Sequence, residues 1–132
     1  GRLPLAQVQE VLEPPPDPPA SLPDRIEAFV DQRARVLAFV APVARAAAIQ
    51  EPFSAQLRSN RDFAVHALRR HIEHIFAPEL QARPEPARAE TLRALEMASS
   101  WSAWDELRTW GGLDEPATTA VMKRTIAALL SS

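Results

Sequence analysis

Six of the thirteen prolines fall in the ten residues from position 14 to position 23, in the run PPPDPPASLP. Each proline lacks the amide donor that helix and sheet ladders need, and its ring fixes φ, so this stretch continues neither. It reads as an extended, polyproline-like linker over residues 14–23. On one side lies a short helical piece, residues 3–13. On the other lies a body, residues 22–132, of a size that forms one domain. Pro42, Pro52, Pro84, Pro86 and Pro116 punctuate that body.

Between these breaks the chain favours helix. Its 24 alanines and 14 leucines outnumber 8 valines, 5 isoleucines and 5 threonines, there is no tyrosine, and three glycines are few for the turns of an all-β fold. Ser21 or Asp24 is placed to cap a helix whose first turn holds Pro23. Ile26, Phe29, Val30, Val36, Leu37, Val40, Val43, Ala44, Ala47 and Ala48 then recur at spacings of three and four and form one apolar face. A helix over residues 22–48 is about 40 Å long and crosses a domain whose radius of gyration is near ~14 Å. Pro42 predicts a kink or a break near its end.

Residues 53–80 read as a second helical region, interrupted near Ser59-Asn60. Leu68, His71, Ile72 and Ile75 share one face, with Asp62, His66, Arg69, Arg70 and Glu73 opposite. After the Pro84 and Pro86 loop, residues 87–110 read as one helix stopped by Gly111-Gly112. This helix has two apolar stripes, Leu92, Leu95, Ser99 and Ala103 beside Ala94, Met97, Ala98, Trp101 and Trp104, so it must pack on two sides. Asp114 opens a last helix to residue 130, with a large-residue stripe of Met122, Ile126 and Leu129 and a small-residue stripe of Ala117, Val121, Thr125 and Ala128. The expected fold is an all-α antiparallel bundle of about five or six helices. The last two carry more apolar surface than one core needs. Pairing with their copies in a dimeric four-helix interface would cover it, as would a wide monomer core.

Several function classes drop out on composition. A formal charge of −2, from 15 Lys and Arg against 17 Asp and Glu, with no basic run, does not suit a chain that itself grips nucleic acid. The absence of cysteine removes disulfides, zinc-thiolate sites and cysteine nucleophiles. The longest apolar stretch, residues 36–44, is far too short for a bilayer, so no membrane partner is expected. The chain opens on Gly1 without a secretory signal, and the expected location is the cytoplasm. Ser99, Ser100 and Ser102 have no histidine nearby in sequence to act as base, and glycine-rich phosphate loops need glycines that are missing, so neither an enzyme nor a cofactor is expected.

Arg33 interrupts the apolar face of the first long helix. Buried there, it needs a carboxylate, helix-end carbonyls, a route to water along its stem, or a ligand-borne charge. His66 and His74 are about 12 Å apart along a helix and cannot share an ion. His71 and His74 could, with a third ligand from elsewhere, but the pattern is weak for zinc and no metal is expected. Met97 with Trp101, Trp104 and Trp110 suits either a core or the lining of a roomy apolar pocket.

Three of these stretches resemble a known family. RARVLAFVAPVARAAA over residues 33–48 is similar to the long first helix of the regulatory domain in TetR-type (tetracycline-repressor-like) transcriptional regulators. LRRHIEHIFAPEL over 68–80 is similar to that domain's central helix, and ASSWSAWDELRTWGGLD over 98–114 to its penultimate helix and turn. The likeness covers about residues 22–130. It implies an effector-sensing, homodimerising domain of a regulator, expected to be a repressor, whose operator DNA is held by an N-terminal helix-turn-helix domain absent from this chain. Residues 1–13 would then be the remnant of the helix joining the two domains. The implied effector is a hydrophobic or aromatic small molecule, with Arg33, Val36, Leu37, Val40, Leu68, His71, Ile75, Met97 and Trp101 lining its pocket. Leu92, Leu95, Ser99, Val121, Met122, Thr125, Ile126 and Leu129 would form the dimer or bundle seam. A helical protein-interaction module without a small-molecule ligand and a metal-binding helical bundle remain as alternatives.

Overall fold

The computed structural model describes residues 21–50 and 53–131. The short helical piece over 3–13, most of the proline-rich linker and the Glu51-Pro52 separator lie outside the described residues. The described chain is all-α, without a strand: α1 (Leu22–Gln50), α2 (Ala55–Ile75), α3 (Ala77–Gln81), α4 (Ala87–Ala98), α5 (Trp101–Asp105), a π-helical turn (Glu106–Trp110) and α6 (Glu115–Leu130).

The helix starts follow local chemistry. Ser21 Oγ accepts from the Asp24 amide at 3.2 Å, Ser54 Oγ from Leu57 at 3.2 Å and Asp114 Oδ1 from Ala117 at 2.9 Å. Each satisfies an amide that the first turn leaves without a helical partner. Gly111 and Gly112 close the π-helical turn. A Cβ on Gly111 would meet the Leu107 carbonyl at 2.7 Å, and Gly112 has φ +67°, a conformation that glycine adopts without steric cost.

The observed helices depart from three expectations about continuity and narrow a fourth. At Pro42, where a kink or a break is expected, α1 runs on unbroken to Gln50. α2 is continuous at Ser59-Asn60, where Gln56 Nε2 donates to Asn60 Oδ1 at 2.9 Å one turn on. It ends at Ile75, before residue 80, because Pro78 has no amide with which to continue the ladder and sits instead in the first turn of α3. The helix expected over 87–110 is broken at Ser99-Ser100. Ser99 closes α4, and Ser100 starts α5 by accepting from the Ala103 amide at 3.1 Å while donating to the Met97 carbonyl at 2.8 Å.

One core joins these helices. Ile26, Phe29, Val30 and Leu37 of α1 meet Leu68, Ile72 and Ile75 of α2, Leu95 and Ala98 of α4, Trp104 of α5, and Met122, Ile126 and Leu130 of α6. α6 lies along α1, and α4 sits between α2 and α6. Ion pairs rivet the same contacts. Lys123 Nζ reaches Glu27 at 2.6 Å and Asp31 at 3.0 Å between α6 and α1. Arg69, expected on the solvated face of α2, instead binds Glu96 of α4 through two hydrogen bonds.

Candidate functional site

The α4–α5 break determines what surrounds Arg33. The last residue of an interrupted helix presents a carbonyl without a helical partner. Here it is Ser99 O, which accepts from Arg33 Nε at 2.7 Å. Arg33 therefore makes a helix-end contact, one of the arrangements that its place on an apolar face requires. That bond uses one of the guanidinium's five N–H groups. Among the described residues no carboxylate pairs with it, whereas Arg25, Arg45 and Arg69 each have one. Burial pushes the Arg33 pKa down to about 10, so the side chain still carries its charge at neutral pH.

Polar atoms on the helices that pack around this contact lack partners too. The Nε2 atom of His71, the Oγ of Ser99 and the indole Nε1 of Trp101 are all buried and make no hydrogen bond. A buried polar group left in that state costs about 1–3 kcal/mol. Such groups gather where a guest supplies the missing partner, or where the fold tolerates the cost. His71 packs its ring against Phe29 at a centroid distance of 5.3 Å. Burial first, then the Arg33 charge and the neighbouring His74, push its pKa down to about 4, so it is neutral at pH 7.

This depression has a sign that can be tested. An unfolded histidine takes up its proton near its ordinary value of 6.5, whereas folded His71 resists it down to about 4. The stability contributed by neutral His71 is complete above the unfolded value and is lost as pH falls toward the folded one. Urea unfolding at about pH 7 and about pH 5 should show a smaller acid-induced drop for His71→Gln than for the unsubstituted chain. Equal drops would mean that the ring is solvated.

The expected pocket lining divides. Val36, Leu37, Leu68 and Ile75 are buried in the core, and Val40 is partly buried. Arg33, His71 and Trp101 are partly buried where α1, α2 and the α4–α5 junction meet. Met97 is elsewhere. It is 69% exposed and faces a groove of about 250 Å³ formed with Ala103, Leu107, Val121 and Thr125. The three tryptophans do not form one cluster. Trp104 is in the core and Trp110 is 79% exposed. A second groove, about 490 Å³, lies between Pro42 and Arg45 of α1 and the Thr109–Glu115 turn, and contains none of the expected lining. Its cations already have partners: Arg45 binds Asp105 at 3.2 Å, and Arg108 donates to the Leu113 carbonyl at 2.8 Å.

The expected dimer or bundle seam also divides between the inside of the chain and its surface. Leu95, Ser99, Met122 and Ile126 are fully buried inside the single chain, because α6 turns its large-residue stripe onto α1 and α4. Leu92 and Leu129 are partly buried against the same core. Val121 and Thr125, in the small-residue stripe, are exposed with Ala128.

Among the described residues, no three His, Asp or Glu side chains come together to hold a metal ion, and no helix is long and apolar enough to cross a membrane. Comparison of the chain with protein-family models, with curated proteins and with solved structures finds no match, so no relative lends this site a function.

Proposed function

We propose that residues 22–132 are the effector-sensing and homodimerising domain of a TetR-like transcriptional regulator, acting as a repressor whose DNA reader is a separate N-terminal helix-turn-helix domain. The observation that carries this reading is the Arg33 junction: a charged side chain without a carboxylate partner, on the apolar face of α1, bound to the carbonyl that ends α4, with the unpartnered Ser99 Oγ on that same residue. A small molecule with an apolar body and a polar handle would satisfy those atoms while bridging α1 to the α4–α5 break. Because α1 leads back toward the linker, a ligand that preferred one placement of α1 would bias the spacing of two DNA readers in a dimer. Only its differential affinity for the two spacings could do so.

The dimer would pair α4 and α6 with their copies. The exposed face supports this. Val121, Thr125 and Ala128 are small enough to let helices approach closely, and Met97 and Leu107 provide apolar depth beside them. Light scattering of the purified chain should give twice the monomer mass. Val121→Arg should return it to the monomer with helical content unchanged, since Val121 is 38% exposed in the single chain. A monomeric mass for the unsubstituted chain at high concentration would overturn the regulator assignment and favour an interaction module.

A further inference from the structure

The groove beside Met97 holds about 250 Å³ and is walled by Met97, Leu107, Val121 and Thr125, with Glu106 at its side. A small-molecule pocket usually has roughly 300–1,000 Å³, so this groove suits one large side chain better than a ligand. Such a side chain stands at its rim. The turn that supplies Glu106 is π-helical, with the Gly111 amide donating to the Glu106 carbonyl, five residues back, at 2.8 Å. In a helix closed by such bonds, residues four apart lie almost in line, which places Trp110 one turn on from Glu106. Trp110 is 79% exposed and so does not fill the groove of its own chain. A knob and a groove on one face make that face complementary to itself, as a twofold pairing requires. Charge agrees. Glu106 and Arg124 are exposed, and among the described residues neither makes an ion pair. Arg124 lies in line with the exposed Val121, Thr125 and Ala128 of α6, so a second copy laid on this face can set each of the two opposite charges against the other. Area agrees as well. Docking the ring would hide about 200 Å² of tryptophan and about as much groove wall, roughly half of the ~800 Å² per partner that a specific interface needs.

We propose that two copies of the chain pair by exchanging tryptophans: Trp110 of each fills the Met97–Val121 groove of the other, and Glu106 of each meets Arg124 of the other. The proposal rests on the homodimer reading above and names what holds that dimer together. Trp110 is its anchor, since a large aromatic side chain seated in a pocket contributes far more to binding than the contacts around it. The small stripe of α6 supplies close approach, and the paired charges fix the register.

Acrylamide quenching of tryptophan emission reads the docking directly. Trp104 is buried and Trp101 partly buried, so Trp110 dominates the emission that acrylamide can reach in a single chain. At a concentration where light scattering gives the dimer, the whole chain should be quenched several-fold less than the monomeric Val121→Arg variant, and dilution to the monomer should restore the quenching. Trp110→Ala should weaken dimerisation at least about tenfold with helical content unchanged. Glu106→Arg and Arg124→Glu should each weaken it too. An equimolar mixture of those two variants should recover the dimer, because in the mixed pair both contacts again join opposite charges. A dimer quenched as readily as Val121→Arg, a Trp110→Ala variant that pairs as tightly as the unsubstituted chain, or a mixture no better paired than its components would each overturn the exchange and leave the dimer standing. A chain that stays monomeric at high concentration loses the regulator assignment as well.

Discussion

Phe76→Ala is expected to destabilise the domain by about 3–5 kcal/mol, the usual cost of truncating a buried aromatic. Phe76 is fully buried and stands between two helices, closing α2 through its amide on the Ile72 carbonyl at 2.9 Å and leading into α3. Its ring meets Phe29 edge-on at 5.3 Å and 76°. Phe29 in turn lies against His71, so the truncation would open space beside the Arg33 junction as well as under the α2–α3 corner. A domain of this size is stabilised by about 5–15 kcal/mol in total, so the loss is a large share. The melting temperature should fall by roughly 10–20 °C. Phe76→Leu, which conserves most of the volume, should cost less than about 1.5 kcal/mol. A loss below about 1 kcal/mol for the alanine variant would mean that the corner is loosely packed or collapses to fill the gap.

The difference between what could be read in the sequence and what could not follows the range of each interaction. The starts of α1 and α6 were legible because their signals act within one turn: Ser21 and Asp114 each accept from an amide three residues on. The apolar faces of α1 and α2 were legible for a similar reason, since helical periodicity places Ile26, Phe29, Leu68 and Ile72 without any knowledge of their partners. Breaks inside an unbroken apolar pattern were not. The pattern runs across Phe76-Ala77-Pro78 and across Ser99-Ser100, and a serine within a helix looks the same in sequence as a serine that caps the next one. Pro78 was the available sign of the first break. The Ser-Ser pair just before Trp101 was a weak sign of the second. Two stripes on α6 could be seen, but which one turns inward depends on α1 and α4, and the seam residues divided for that reason. Arg33 stood out as a charge on an apolar face, but its partner at Ser99 lies 66 residues away.

Glu79→Ala should be the most costly loss among the ion pairs, at about 3 kcal/mol, because removing one member of a buried pair leaves the other unsatisfied. Arg25 gave no sign in the sequence beyond its place in the first turn of α1, yet its side chain is buried in the folded chain. Its two terminal nitrogens hold the Glu79 carboxylate at 2.6 and 2.8 Å, and one of them also donates to the Ile75 carbonyl at 3.0 Å. That geometry ties the start of α1 to the end of α2 and to α3. Without the carboxylate, the Ile75 carbonyl cannot balance the charge. Replacing both residues, as in Arg25→Met with Glu79→Leu, should recover most of the loss, since burying two charges costs nearly as much as their attraction returns. Acid provides a separate test. The hydrogen bond from Arg25 holds the Glu79 carboxyl below its ordinary value of 4.5. The stability it contributes is therefore complete above that value and is lost as pH falls through the lower folded one. Glu79→Gln should already lack this contribution at neutral pH, so its stability should change less than that of the unsubstituted chain on going from about pH 5 to about pH 3.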